Sequence, residues 1–328
     1  MLSSPNRCVR GAATASLLVL LLAGCNSGAT EVSTDAGDAA SSGGPSAGAT
    51  ADPESSAEPT EEPGSPPAPT ATPAPGTTTA ALYYLVETRN GIRLQREFRQ
   101  VPRSDAPTRA ALDAMFREPA LDRDYSSLWP RATRVRGIAR SGGTVTVDLS
   151  RAALDGEGGA EATAMSVQQV VHTVTAADRT ISGVRILVEG REVTDLWGHE
   201  SLAGRTLRRG SHIDVLAFVA IDSPSETAEV TRTFVLSGSA TVFEANVQWR
   251  VTRGCPADVT CVGAKPTYAS GFVTASAGAP ARGTWSVQVT VPEEVLETSG
   301  YIEITAFEES AEDGAEIHAD TKVVRVVG

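Results

Sequence analysis

The pattern of apolar and polar positions divides the chain into segments of different kinds. Residues 12–23 form an apolar run of about a dozen residues, and Arg7 and Arg10 precede it. This length suits the core of a signal peptide and is too short to span a bilayer. The run therefore predicts that the protein is exported.

Residues 80–200 show strand and helix patterns in alternation. Residues 81–86 have the composition of a buried strand, and residues 92–101 return with apolar positions that alternate with Arg and Gln. Asn90-Gly91 between them is a strong hairpin signal. The region therefore begins with a predicted β-hairpin.

Two helices are predicted in the same region. Asp105 with Pro107 opens the first, and residues 158–178 carry valines at helical spacing for the second. A second hairpin that turns at residues 141–143 and a strand at residues 183–190 complete the pattern. Helices and strands are therefore expected to alternate around one sheet.

Residues 213–328 show short alternating segments separated by Gly, Pro, Asp and Ser. This spacing is typical of a β-sandwich, and residues 212–221 are expected as its first strand, with no competing helix pattern. Trp249 and Trp285 are predicted to pack between the two sheets, because the segment has few other large side chains. The fold class predicted for the chain is α+β.

A polar segment joins the apolar run to the first module. Residues 26–79 contain no Lys, no Arg and no aromatic residue, but eight carboxylates. Such a segment cannot bury enough apolar surface to become ordered, and as a coil it would span about 40 Å. We expect a tether that holds the folded part away from a membrane. The predicted organisation is a signal peptide at 1–24, a disordered tether at 25–79, an αβ module at 80–200, a linker at 201–212 and a β-sandwich at 213–328.

Leu22, Ala23, Gly24 and Cys25 end the apolar run and resemble the lipobox of bacterial lipoproteins. In those proteins the thiol is alkylated by diacylglycerol and the cysteine becomes the mature N-terminus. Two or three acyl chains hold a soluble protein at a membrane, where one chain binds only marginally. We therefore expect an extracytoplasmic protein that is lipid-anchored through Cys25 to the outer face of the cell membrane. An ordinary secreted protein in which Cys25 is incidental is the alternative.

Cys255 and Cys261 lie close together in a predicted loop of the exported part. A disulfide is the first interpretation, since exported thiols oxidise readily, and closing so small a loop contributes about 2 kcal/mol or somewhat more. A zinc site is the alternative, but it needs further ligands near the pair. None of the four histidines is close to it in sequence: His172, His199, His212 and His318.

Charge is distributed unevenly within the formal total of −12. Residues 80–210 contain 19 Arg against 16 acidic residues, whereas residues 211–328 contain 7 basic against 16 acidic residues. The opposite signs are consistent with docking of the two modules and equally with solvated faces. Export, the acidic total and the lack of a basic patch interleaved with aromatics disfavour a nucleic-acid partner.

No catalytic signature is present: the chain lacks a Gly-x-Ser-x-Gly elbow, a phosphate-binding glycine loop and a His-Glu-x-x-His motif. His172 lies on the flank of a predicted apolar helix face and is expected at its boundary. His199 beside Asp195 and Glu200 in a turn, and the acidic hairpin of residues 307–320, could bind a metal, but solvated turns explain both. We therefore expect no catalytic residue, cofactor or metal, while calcium at the hairpin stays open.

The segments YYLV, LQREFRQVP, LWPRATRV, GTVTVDLS and VQQVVHTVTAADRTISGVRILVEGREV follow one another in an order that resembles the GerMN module. This sporulation and germination domain occurs in exported lipoproteins. The resemblance covers most of residues 80–200 and includes no catalytic signature; Glu118-Pro119 stands where the family usually has Gly-Pro. It implies a compact αβ module used for assembly or attachment.

The run IDSPSETAEVTRTFVLSGSATVFEANVQWRV, residues 221–251, resembles the Gmad2 domain that often follows GerMN. The Ser-Pro start, the SGSA turn and the FEANVQW segment carry the resemblance. It implies an immunoglobulin-like β-sandwich.

Three functions remain open from the sequence. The favoured one is a lipid-anchored envelope protein that binds or scaffolds a protein partner, a wall polymer or a second copy of itself, in sporulation, germination or envelope maintenance. A peptidoglycan-acting enzyme or accessory subunit would require paired carboxylates in a cleft. A solute-binding receptor would usually need two larger αβ lobes around a cleft.

Overall fold

The computed structural model describes residues 74–256 and 259–328, which form two modules of different architecture. The first is a mixed αβ module and the second is a β-sandwich, so the predicted α+β fold class is confirmed. The predicted signal peptide and residues 25–73 of the predicted tether lie outside the described residues. Within the described ranges, no helix is long and apolar enough to cross a membrane.

The first module begins with a long antiparallel hairpin. Strands β1 (Thr77–Thr88) and β2 (Gly91–Pro102) pair along their whole length and are joined by the two-residue turn Arg89-Asn90. A short strand, β3 (Tyr125–Ser126), pairs with the other side of β1. The predicted hairpin is therefore confirmed, and it forms a three-stranded sheet of its own.

A second sheet of four strands lies in the same module, in the order β4-β5-β6-β7. Its strands are β4 (Val135–Ser141), β5 (Thr144–Leu149), β6 (Gly183–Val188) and β7 (Arg191–Glu192). β4 and β5 form the second predicted hairpin, whereas β5 and β6 are parallel and so need a long crossover. The expected single sheet is therefore wrong: the module has two, because the first hairpin pairs with β3 and not with the β4 to β7 set.

Two helices fill the space around these sheets. The helix α1 (Pro107–Arg117) starts with Pro107 at its first position, where a missing N–H costs nothing. The helix α2 (Ala160–Ala177) is the crossover between β5 and β6, after a short 3-10 helix at Arg151–Asp155. Because α2 packs against β1 of one sheet and β6 of the other, it is buried on more than one side.

Polar side chains on α2 are buried without breaking the helix. The hydroxyls of Thr163, Ser166 and Thr175 donate to the carbonyls of Gly159, Ala162 and Val171, four residues earlier. These bonds satisfy the hydroxyls locally. The helix can therefore face both sheets although only one side of it carries the valines.

The second module is a sandwich of two sheets with the strand orders β13-β10-β8 and β12-β11-β14-β15-β9. Its strands are β8 (Val219–Ser223), β9 (Glu229–Val230), β10 (Thr233–Ala240), β11 (Asn246–Arg253), β12 (Thr267–Thr274), β13 (Gly283–Thr290), β14 (Tyr301–Glu309) and β15 (Glu316–Val326). Trp249 and Trp285 belong to the core between the sheets, where they are 9% and 3% exposed. The predicted role of both tryptophans is confirmed.

The start of this module differs from the expected strand at residues 212–221. A short helix, α3 (His212–Val215), precedes β8, and a second short helix, α4 (Glu294–Glu297), follows β13. Val215 is 4% exposed and packs with Leu94 of the first module. Val215 faces the first module, so the residues before Val219 do not form the strand that their apolar pattern predicts.

The segment SGSA, residues 237–240, is not a turn as expected but the last part of β10. Gly238 pairs with Trp285 on one side and with Ile221 of β8 on the other, next to a register shift. A Cβ at Gly238 would lie 1.9 Å from the carbonyl oxygen of Ala220. The glycine therefore permits a close approach of two strands and needs no turn conformation.

Residues expected as a linker contribute to the first module. Leu202 and Leu207 are 3% and 6% exposed and belong to its core. The backbone of Leu207 exchanges two hydrogen bonds of 2.8 Å with Val184 on β6. The first module therefore extends at least to Leu207.

Candidate functional site

A buried lysine joins the two modules. Lys322 on β15 is 2% exposed, and its Nζ donates to Asp122 Oδ2 (2.7 Å) and to the hydroxyl of Tyr125 (2.6 Å), both in the first module. It also donates to Asp320 Oδ1 (2.8 Å) on its own strand. Asp320 in turn accepts from Tyr125 and from the backbone N–H of Ile221. Both carboxylates and the phenol of this cluster therefore accept a hydrogen bond from Lys322.

The charge of Lys322 is maintained by its neighbours. Burial alone would lower the pKa of Lys322, but Asp320 and Asp122 outweigh it and raise the pKa above its ordinary value. The Nζ also lies 4.5 Å from the ring centroid of Tyr125, which adds a cation–π contact. Lys322 is therefore protonated. Its ammonium group has hydrogen-bond acceptors from both modules.

A second set of polar contacts lies between β2 and β8. Arg96 donates from Nε and Nη2 to the two carboxylate oxygens of Asp222, each at 2.7 Å. Gln95 Nε2 donates to the carbonyl of Val219 (2.7 Å), and the N–H of Ala217 donates to the carbonyl of Leu94 (3.0 Å). Bidentate pairs of this kind fix orientation as well as distance. We refer to the Lys322 cluster and the Arg96 set together as the module junction.

The module junction uses one side of the sandwich and leaves the other side open. Its contacts come from β8 and β15, whereas β12 and β13 form the opposite ends of the two sheets. Among the described residues, β12 pairs only with β11 and β13 only with β10. Phe272 on β12 is 66% exposed. β12 with Phe272 is therefore an unpaired strand edge that carries an apolar side chain, a feature that soluble proteins usually protect.

The loop before β12 carries the two cysteines of the folded part. A disulfide joins Cys255 and Cys261, as the sequence predicts. Val262 next to it is 84% exposed, and Val259 inside it is 51% exposed. The disulfide therefore closes a loop that presents apolar side chains ahead of the first residue of β12.

The predicted lipidation residue Cys25 and the lipobox residues Leu22, Ala23 and Gly24 lie outside the described residues. Their roles stay predictions.

His172 is not at a boundary, as expected, but is 2% exposed. Its ring packs edge to face on Tyr83 (centroids 5.1 Å apart), and neither ring nitrogen has a hydrogen-bond partner within the described part of the chain. Burial, with Arg209 and Arg282, holds its pKa well below the ordinary value. The expectation fails because the flank of the valine stripe on α2 faces the β1 sheet. His172 is a neutral core residue.

The other titratable candidates have local structural partners. Asp195 accepts from the backbone N–H of Gly198, and Glu200 pairs with Arg205 at 2.9 Å. In the acidic hairpin, Asp313 accepts from the N–H of Ala315, and His318 packs against Phe218. Within residues 74–256 and 259–328, no three His, Cys, Asp or Glu side chains form a possible metal-binding group.

Sequence reasoning missed the residues of the module junction. A signal was available for one of them, because Lys322 alternates with Val324 and Val326, which are 0% and 3% exposed. A lysine on the buried face of a strand requires a buried acceptor. Its partner Asp122, 200 positions away, has no such signal.

Two family models match the chain. Residues 81–194 match Germane, described as sporulation and spore germination. Residues 218–315 match Gmad2, described as the immunoglobulin-like domain of bacterial spore germination. These matches coincide with the αβ module and with most of the β-sandwich. None of the curated proteins matches the chain.

Several solved structures are similar to parts of the chain. The first GerMN domain of the sporulation protein GerM from Bacillus subtilis is 21% identical, with 40% of this chain and 98% of that chain covered and a TM-score of 0.34. A putative lipoprotein from Clostridium perfringens is 16% identical, with 42% and 91% covered and a TM-score of 0.29. The tandem GerMN domains of GerM are 16% identical, with 66% and 62% covered and a TM-score of 0.36.

Proposed function

The chain carries a Germane domain followed by a Gmad2 domain, and on this premise we propose that it is a lipid-anchored envelope protein that binds a protein partner without catalysing a reaction. Both family descriptions concern sporulation and spore germination, so a role in one of these processes is included in the proposal. The anchor is the acylated Cys25, and the tether that precedes β1 gives the folded modules reach from the membrane.

The open edge of β12 carries this proposal. An extended segment of another protein can add to an unpaired strand edge, where main-chain hydrogen bonds supply affinity and side-chain pockets supply specificity. Phe272, with an exposed fraction of 66%, and the apolar disulfide loop at the other end of β12 would supply apolar contacts. Main-chain pairing of this kind favours a protein over a wall polymer.

The module junction supports the same function. Because Lys322 and Arg96 fix the sandwich on the first module through several short contacts, the β12 edge has a defined orientation relative to the tethered end. Because the two modules are fixed on each other, a partner that binds the edge does not have to order a hinge between them. The proposal therefore assigns the first module to presentation and the second to contact.

Phe272→Lys tests the role of the strand edge. We expect the chain without residues 1–24 to retain an envelope protein from a membrane extract, and Phe272→Lys to reduce retention at least about tenfold, because it places a charge on the contact surface. The measurement is a quantitative pull-down from a membrane extract and, in parallel, from purified cell wall.

Val235→Lys is the matched control. Val235 is 53% exposed and lies on β10, a central strand of the other sheet, so this change should leave retention unaltered. Equal retention by the Phe272 variant and the unmodified chain, or retention by purified wall alone, would contradict the assignment. Release of soluble fragments from purified wall would favour the peptidoglycan-acting enzyme instead.

A further inference from the structure

The first module contains an open cleft of about 330 Å³ between the segment that follows α1 and the β1 and β3 strands. This volume lies at the lower end of the range for small-molecule sites. Phe116, Pro119, Leu121 and Trp129 give it apolar walls. The cleft is separate from the β12 edge, which belongs to the other module.

Tyr84 lines the cleft and is 0% exposed. Its hydroxyl has no hydrogen-bond partner in the part of the chain that the structure describes. Burial raises the pKa of Tyr84 above its ordinary value, so the group is a neutral phenol that can donate. A buried hydroxyl without a partner is costly, and a ligand oxygen would remove that cost.

The loop over the cleft is held in place from β2. Glu97 accepts hydrogen bonds from the backbone N–H groups of Leu121 (2.9 Å) and Asp122 (2.9 Å). Arg99 donates to the carbonyl of Pro119 (3.1 Å) and to the carboxylate of Glu118 (2.7 Å). The cleft is therefore preformed, which reduces the ordering cost of binding.

The polar side chains of the cleft that lack a charged partner are donors. The carboxylate of Glu118 is engaged by Arg99, and that of Asp122 by Lys322. Arg123 and Arg131 line the cleft on its exposed side, and neither forms an ion pair with a described residue. A buried hydroxyl without a partner in the cleft wall and two guanidinium groups without ion-pair partners select for a ligand with acceptor oxygens and negative charge.

We propose that this cleft binds a small organic carboxylate with an apolar body. An acceptor oxygen of the ligand takes the hydrogen bond of Tyr84, the apolar body lies against Phe116 and Trp129, and the carboxylate faces Arg123 and Arg131. This site goes beyond the proposed function, since a partner on β12 neither requires the cleft nor occupies it.

The probe is N-acetylphenylalanine, which has a carbonyl acceptor, an aromatic body and a carboxylate. Titration calorimetry of the full chain in mild detergent should show saturable binding, and the uncharged N-acetylphenylalaninamide should bind at least about tenfold more weakly. Equal affinity for acid and amide, or no saturable binding of the acid up to about 10 mM, overturns the proposal.

Tyr84→Phe separates a ligand site from an ordinary core tyrosine. It should weaken binding of the probe about five- to tenfold through the lost hydrogen bond, while the midpoint of thermal unfolding stays the same or rises because an unpartnered hydroxyl is removed. Arg131→Gln should also weaken binding and reduce its dependence on salt. Tyr268→Phe in the other module is the control and should change neither the affinity for the probe nor the salt dependence of binding. Unchanged affinity in Tyr84→Phe overturns the proposal.

Discussion

Lys322→Met is expected to lower the free energy of unfolding by about 3–5 kcal/mol. Removal of the ammonium group leaves Asp122 and Asp320, which are 4% and 5% exposed, as buried carboxylates without their cation. Tyr125 loses a hydrogen-bond partner as well. The cost arises from these orphaned groups more than from the lost attraction itself.

The same change should weaken the junction specifically. Two of the three side-chain acceptors of Lys322 belong to the first module, so their loss removes contacts between modules as well as within the sandwich. Denaturant unfolding, followed by tryptophan fluorescence and by circular dichroism, should give coincident transitions for the unmodified chain and separated transitions for the variant. Because the first module has its own core, it should then unfold at a denaturant concentration different from that of the sandwich.

Lys265→Met is the matched control, because Lys265 is the other lysine of the chain. It pairs with Glu303 at 2.8 Å, but its side chain is 42% exposed. An exposed pair contributes at most about 1 kcal/mol, so this variant should stay close to the unmodified protein. Similar losses for the two variants would contradict the role given to Lys322.

Gly238→Ala is expected to lower the free energy of unfolding by about 3 kcal/mol. The new Cβ would lie 1.9 Å from the carbonyl oxygen of Ala220 and 2.7 Å from Cζ2 of Trp285. The carbonyl belongs to β8, so relief of the clash requires β8 and β10 to move apart. Asp222 on β8 is the partner of Arg96, and the damage should therefore extend to the module junction.

Gly137→Ala is the control for this change. Gly137 lies in β4, and the nearest atom to an added Cβ is the Cβ of Asp148 at 3.9 Å, an ordinary contact. The free energy of unfolding should change by no more than about 1 kcal/mol, since the substitution also restricts the unfolded chain. The comparison is made by thermal unfolding followed by tryptophan fluorescence. If the two alanine variants unfold at the same temperature, the close approach at Gly238 does not constrain the sandwich.

Local patterns predict most of the elements of this fold. The two hairpins of the first module, the helix of residues 160–177 and the strands from residue 233 onward follow from hydrophobic periodicity and turn residues. Trp249 and Trp285 are also placed correctly, because large apolar side chains in a small sandwich have few other positions. These features depend on residues that are close in sequence.

The failures concern contacts between distant parts of the chain. A periodic pattern shows that α2 has an apolar face, but not that a second sheet covers its flank, so His172 is misplaced. The pattern of residues 212–221 shows apolar residues, but not that the first module receives Val215. Gly238 indicates a special backbone position, and only the register of β8 and β10 shows that the reason is close approach.

The candidate site was less predictable than the fold for the same reason. The Cys255–Cys261 disulfide joins residues that are near in sequence, and the sequence predicts it. Lys322 and Asp122 are separated by 200 positions, and Arg96 and Asp222 by 126. The opposite charges of the two modules suggest docking, but they do not identify these pairs.

The module junction is expected to make the αβ module and the β-sandwich one cooperative unit. Differential scanning calorimetry of the unmodified protein tests it most directly, because the calorimetric and van't Hoff enthalpies agree only when a protein unfolds as a single unit. We predict one transition in which the two enthalpies are equal. Two resolved transitions, or a van't Hoff enthalpy well below the calorimetric value, would contradict it.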